Sequence, residues 1–243
     1  MFNLKIANKL DFFKRIFNKE NSSTPMEQNS RNSKNEFDTL WIKLNENKYA
    51  EVINEATKFI QSDKKSIKNE ALKLIGLSYF RNGQYNLSEQ TFETLTETSS
   101  SPEDWFNLVT SSTLNKNIEL SEKAYNKTLE LYKEKGTKEN IPIPQIYFYY
   151  MQGLRDVKEY SKAFQQLEKL TDIYAKLVIT DDTFVYMRGV PFLSHTLEAS
   201  KEILESIDIE KAKKLISDLM SKVDEEGKDY LMKFEKTINY KSN

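Results

Sequence analysis

A short pattern returns five times along this chain of 243 residues. An aromatic or aliphatic residue is followed three places on by a small one. A large apolar residue comes four later, and another apolar residue three after that. The clearest copy is Tyr85, Ser88, Phe92, Leu95, and a second is Tyr160, Ala163, Leu167, Leu170. Weaker copies are Tyr49, Val52, Ala56, Phe59 and Ile118, Ser121, Tyr125, Thr128, and the weakest is Ile209, Ala212, Ile216, Leu219. Steps of three and four place each set on one face of an α-helix. Self-similarity of this kind is the signature of a stacked repeat, in which no unit buries its apolar face alone. Such a scaffold points to a binding surface rather than a catalyst.

Composition agrees with helices. Six glycines and five prolines are few for this length, which suits long helices and not a sandwich with many tight turns. The formal net charge of -1 gives no global reason to expect nucleic acid as a partner. With no cysteine, a disulfide framework, a thiolate nucleophile and a zinc-thiolate site are excluded. No apolar run reaches the roughly 20 residues that span a bilayer, and no secretory signal is evident. The expected location is cytoplasmic, with peripheral contact at the inner face of the membrane as an option.

Four regions follow from the patterning. In residues 1–19, Phe2, Ile6, Leu10, Phe13 and Phe17 fall on one helical face, with Lys5, Lys9, Lys14, Arg15 and Lys19 supplying charge. Residues 20–36 are polar and aperiodic, and read as a flexible linker. Residues 37–177 carry nearly continuous helical periodicity in pairs. Expected helices run from Phe37 to Leu44, Tyr49 to Ile60, Ile67 to Phe80, Tyr85 to Leu95, Trp105 to Leu114, Ile118 to Tyr132, Gln145 to Asp156 and Tyr160 to Leu177. Residues 178–243 read as a degenerate pair with capping helices, at Phe192 to Ser206, Ile209 to Val223 and Glu225 to Tyr240. Asn82-Gly83 stops one helix, and Pro102 opens another.

These residues resemble the tetratricopeptide repeat. Leu72, Ile75-Gly76 and Tyr79 match the first helix of its pair, and Tyr85, Ser88, Phe92 and Leu95 match the second. Trp105 and Leu108, then Ser121 and Tyr125, match the next repeat 33 residues on. Tyr147, Tyr150 and Leu154, then Ala163 and Leu167, match a third. The resemblance implies an all-α fold, a right-handed superhelical stack of antiparallel helix pairs closed by C-terminal capping helices. It implies that Gly76 and Ser88 allow close helix approach while Tyr79 and Phe92 fill the space between neighbours. It also implies that the first helix of each pair lines a concave face. By register that face takes Lys73, Leu77, Phe80 and Arg81, then Phe106 and Thr110, then Phe148, Gln152 and Arg155. Aromatic and arginine residues are the types that dominate binding hot spots. The family's clamp for a peptide carboxylate is not expected. Lys73 and Asn107 fall at two of its positions, but Leu77, Gln145 and Tyr149 occupy the other three.

The search for catalytic groups is mostly negative, so no catalytic residue, metal site or cofactor is assigned. His195 is the only histidine, and no glycine-rich phosphate loop exists. Asp181-Asp182 and Glu225-Glu226 read as helix-start carboxylates, which the exposed N–H groups and the dipole favour. Tyr147-Phe148-Tyr149-Tyr150 points around most of a helix, with Tyr147 and Tyr150 expected in the core and Phe148 and Tyr149 available to a partner.

The expected function is non-enzymatic protein or peptide binding on the concave face. A bacterial toxin-neutralising (immunity) protein is an alternative that the size and missing catalytic groups permit. A membrane-surface adaptor is another, with residues 1–19 as an amphipathic anchor on anionic lipid. That segment equally suits a helix that pairs with a partner or folds into the protein's own groove. Asp11 and Glu20 count against a targeting peptide.

Overall fold

The computed structural model describes residues 28–135 and 141–240, and every regular element among them is a helix. They group into two compact units that divide between Ser99 and Ser100. The region read as one run of repeats, 37–177, is therefore shared between the two.

The first unit holds α1 (Gln28–Asn45), α2 (Tyr49–Ala56) with a 3-10 turn at Thr57–Phe59, α3 (Lys65–Arg81) and α4 (Tyr85–Thr96). Helix α1 packs on α2 and α3, α2 packs on α3, and α3 pairs with α4. The start of α1 departs from the expected linker, which was to continue through Glu36. Once Phe37, Leu40 and Leu44 are buried, adding turns at the N-terminal end needs no new nucleus. Helix α3 is buried on two sides, by Ala71, Leu72, Leu74, Ile75, Gly76, Leu77 and Ser78.

The second unit holds α5 (Pro102–Leu114), α6 (Ile118–Lys135), α7 (Ile143–Asp156), α8 (Tyr160–Leu177), the short α9 (Asp182–Met187), α10 (Leu193–Leu204), α11 (Ile209–Met220) and α12 (Glu225–Glu235). Helix α5 pairs with α6, α7 pairs with α8, and α5, α7 and α10 lie side by side in that order. The expected pairing of α10 with α11 is not what dominates. Both pack on α8 and on α12, which holds them together from outside.

Close approach within pairs follows the small residues. The Ser88 hydroxyl donates to the Gly76 carbonyl at 2.9 Å, across α3 and α4. A Cβ on Gly76 would lie 2.8 Å from the Phe92 ring. The same contact recurs 33 residues later in α5 and α6. There Ser121 reaches the Val109 carbonyl at 3.4 Å and pairs with the Thr113 hydroxyl at 2.5 Å. In the third pair Ala163 replaces the serine and is fully buried, with no hydroxyl to place.

One device joins the helices of all four pairs. The second residue past the first helix has positive φ: Asn47 at 63°, Gly83 at 75°, Lys116 at 64° and Lys158 at 68°. At each turn its N–H bonds back three residues and the next N–H bonds back five. The pairs of bonds are Asn47 to Leu44 and Lys48 to Lys43, Gly83 to Phe80 and Gln84 to Tyr79, Lys116 to Thr113 and Asn117 to Ser112, Lys158 to Arg155 and Glu159 to Leu154. This is the Schellman arrangement, which satisfies carbonyls otherwise orphaned at a helix end. Only one of the four positions is glycine, and a side chain in this region costs about 1 kcal/mol or more. Replacing Lys116 or Lys158 by glycine should raise stability by about 0.5–1 kcal/mol, less whatever entropy glycine adds to the unfolded chain. Gly83→Ala should lower it by about 1 kcal/mol although its Cβ would meet open space. Urea unfolding of the three variants checks the opposite signs.

The chain leaves α8 through a constrained segment. Val178 is a β-branched residue at φ 64°, and its carbonyl accepts the Asp224 N–H at 2.9 Å. The Asp224 carboxylate in turn accepts the Thr180 N–H at 3.1 Å, the Thr180 hydroxyl at 2.6 Å and the Gly227 N–H at 3.0 Å. One side chain thus caps α12 and fixes the exit from α8. Tyr174, fully buried in α8, donates to the Pro191 carbonyl at 2.6 Å and shares a 2.8 Å hydrogen bond with Thr196. That bond seats the approach to α10.

Candidate partner-binding surface

The nine residues assigned to a concave face by register meet different fates. In the first unit, Leu77 is 1% exposed and belongs to the core of α3, so it offers nothing to a partner. Arg81 is occupied as well. Its Nη1 donates to the Leu44 carbonyl and to Asn45 Oδ1, both at 3.2 Å, so it closes the C-terminal end of α1. Burial lowers its pKa below the ordinary arginine value, partly offset by Tyr49. A cation at a helix C-terminus complements the dipole there. Lys73 and Phe80 remain half-buried, with the Phe80 ring edge-on to Tyr85 at 5.6 Å.

In the second unit, Phe106 is 2% exposed and packs inside. Arg155 is a tie between helices. Its Nη1 donates to the Ala199 carbonyl of α10 at 3.0 Å, while Nε and Nη2 hold Asp156 Oδ1 at 3.1 and 2.7 Å. Thr110 is half-buried and donates to the Asn107 carbonyl at 3.0 Å. Phe148 and Gln152 are half-buried on α7, and the Gln152 amide has no hydrogen-bond partner among the described residues. The reason for the narrowing is geometric. A first helix in the middle of a stack is covered by its own second helix and by a neighbour on either flank, so only a thin stripe stays open.

The aromatic run on α7 divides as its helical spacing requires. The Tyr150 ring lies 4.6 Å from that of Tyr125 in α6, and the Tyr147 ring 6.5 Å from it. Phe148 and Tyr149 form a separate edge-to-face pair at 5.3 Å. Burial pushes the Tyr149 phenol far above its ordinary pKa, so the pair is a neutral apolar surface at any working pH. Such ring pairs hold their geometry without ordering long side chains.

Two features escape a reading by periodicity. Tyr186 and Met187 are 67% and 70% exposed on α9, a helix too short to show a period. Tyr186 stands 6.4 Å from Phe192, whose ring is 5.1 Å from exposed His195. Lys169 on α8 sits against Tyr125 and Tyr147 instead of in open solvent. The carboxylates behave as caps. Asp181 accepts the Phe184 N–H at 2.9 Å, and Glu225 and Glu226 occupy the first turn of α12 behind Asp224.

Among the described residues, no group of three or more His, Cys, Asp or Glu side chains is placed to hold a metal ion. Likewise, no described helix is long and apolar enough to cross a membrane. Phe2, Ile6, Leu10, Phe13 and Phe17 lie outside the described residues. No protein-family model matches the chain, and no curated protein matches it. What fold and surface define together is an all-α protein of neighbouring helix pairs.

Proposed function

We propose that this is a tetratricopeptide-like repeat protein that binds a protein or peptide segment without catalysis. Its helix pairs stack within each unit in the right-handed manner of that family, and it works in the cytoplasm. The observation that carries the reading is the stripe on α7. There a Phe148–Tyr149 ring pair stands beside a Gln152 amide with no hydrogen-bond partner among the described residues, on a helix flanked by α5 and α10. A rigid aromatic anchor next to an adaptable polar group is the composition of an interface hot spot. The recurrence of Ser88–Gly76 as Ser121–Val109, with the shared turn geometry, supports the family assignment.

The test uses the whole chain as bait for affinity capture, followed by measurement of the captured protein's affinity. Phe148→Ala with Gln152→Ala should weaken binding about tenfold or more, since truncating a hot spot costs about 2 kcal/mol and 1.4 kcal/mol is a factor of ten. Circular dichroism should be unchanged. Lys214→Ala, at an exposed position of α11, is the control. Equal affinity of the double variant and the control would sink the reading. Arg155 is left intact, because removing it would disturb the seating of α7 on α10.

A further inference from the structure

The structure assigns a second recognition point, at Lys169, for a carboxylate group presented by a binding partner. It lies among α6, α7 and α8 and does not depend on the Phe148 stripe. Lys169 Nζ donates to the Tyr125 hydroxyl at 3.0 Å and to Gln166 Oε1 at 3.2 Å. The Tyr125 hydroxyl donates in turn to Gln166 Oε1 at 2.8 Å. The ammonium also stands 4.9 Å from the centre of the Tyr125 ring and 5.3 Å from that of Tyr147. Its surroundings are therefore two phenols and an amide, all uncharged.

What the site lacks is a counter-charge. Several other half-buried cations have one: Lys43 meets Glu51 and Glu55, Lys162 meets Glu122, and Arg155 meets Asp156, whereas Arg81 is held by uncharged acceptors at a helix C-terminus. Lys169 has no carboxylate within ion-pair distance among the described residues. Two of its three N–H bonds are spent on neutral acceptors, and the third has no acceptor among the described residues. A half-buried charge with only neutral partners keeps much of its desolvation cost. Burial accordingly holds the Lys169 ammonium below the ordinary lysine pKa. An anion at the third N–H would lower that cost and form a charge-assisted hydrogen bond.

The ring faces select the anion. A π face is negative at its centre, and the site offers one positive charge. A singly charged carboxylate is matched; a phosphate near two charges is opposed by both rings. A carboxylate borne on an apolar stem would also cover Tyr147, which is half-buried. An aspartate, a glutamate or a chain terminus supplies the same chemistry.

The experiment follows the tyrosine ring signals of the intact chain by NMR during titration with phenylacetate. Phenylacetamide serves as the uncharged control and inorganic phosphate as the competing anion. The expected result is a saturable shift of the Tyr125 and Tyr147 signals with phenylacetate alone. Lys169→Met should weaken it about tenfold or more. Gln166→Glu should do the same by placing a carboxylate where the amide oxygen now accepts both bonds. If Lys169→Met fails to fold, Gln166→Glu decides by itself. Absence of saturation, an equal response to phenylacetamide, or undiminished binding by Gln166→Glu would overturn the site. Phosphate binding as tightly as phenylacetate would overturn its assignment to carboxylates.

Discussion

Phe92→Ala should destabilise the first unit by about 3–5 kcal/mol, the usual cost of emptying a buried phenylalanine site. The Phe92 side chain is fully buried on α4, and its ring closes over the Cα of Gly76. The coupling between the two positions is the sharper result. A Cβ on Gly76 would lie 2.8, 2.9 and 3.0 Å from three atoms of that ring, the first two closer than real contacts allow. The ring is fully buried and cannot swing into solvent, so Gly76→Ala should cost up to about 2 kcal/mol. That net figure sets an overpacking penalty of about 1–3 kcal/mol against the roughly 1 kcal/mol that alanine gains over glycine in a helix. With Phe92→Ala already present the clash disappears and only the helix preference remains. Gly76→Ala should then stabilise, by up to about 1 kcal/mol. Urea unfolding of the four proteins measures this reversal of sign. The same sign in both backgrounds would mean that the ring does not hold α3 and α4 at their spacing.

Gly76, Ser88 and Phe92 were legible in the sequence because each does a single packing task that few residue types perform. The turns were not. Gly83 announces a left-handed residue, but Asn47, Lys116 and Lys158 occupy the same conformation with residue types that carry weak or no signal for it. Packing of the flanking helices imposes that geometry, so local propensity cannot report it. The candidate surface was legible only in part, for a related reason. Register placed Leu77 and Phe106 on an open face, whereas α3 and α5 are covered on more sides than a single stripe suggests. Arg81 and Arg155 look like partner-binding residues in one dimension. Their acceptors, the Leu44 and Ala199 carbonyls, lie 37 and 44 residues away, beyond the reach of any local pattern. Phe148 and Gln152 survive on the surface because Tyr147 and Tyr150 already face Tyr125 of the preceding helix pair. Lys169 gave no signal because its character comes from Tyr125, contributed by a different helix pair.

Asp224→Ala should cost the second unit about 3 kcal/mol, more than an ordinary helix cap. Loss of a cap alone costs about 0.5–2 kcal/mol. Here the same carboxylate also satisfies the N–H and hydroxyl of Thr180, which is 1% exposed. A buried donor left without a partner costs about 1–3 kcal/mol, and water reaches this one poorly. Gly227 seals the site, since a Cβ there would lie 2.8 Å from the Thr180 hydroxyl. Asp224→Asn should fall between wild type and alanine. Its remaining oxygen can cap α12, but its amide nitrogen would face the Thr180 N–H, donor against donor. Hydrogen exchange should localise the damage, with faster exchange at Thr180 and Val185 than in α5 or α6. Acid supplies an independent check. Burial alone would raise the Asp224 pKa, but hydrogen bonds from the Thr180 hydroxyl and from the Gly227 and Thr180 N–H groups outweigh it. The net position is below the ordinary value of 3.8. A carboxylate whose pKa is depressed by folding contributes stability that is fully present above its unfolded pKa. That contribution is lost as pH falls through the folded one. The stability gap between wild type and Asp224→Ala should therefore stay constant from about pH 5 to 8 and narrow below about pH 4. A gap that persists in acid would mean that Asp224 holds the exit from α8 by shape instead of by charge.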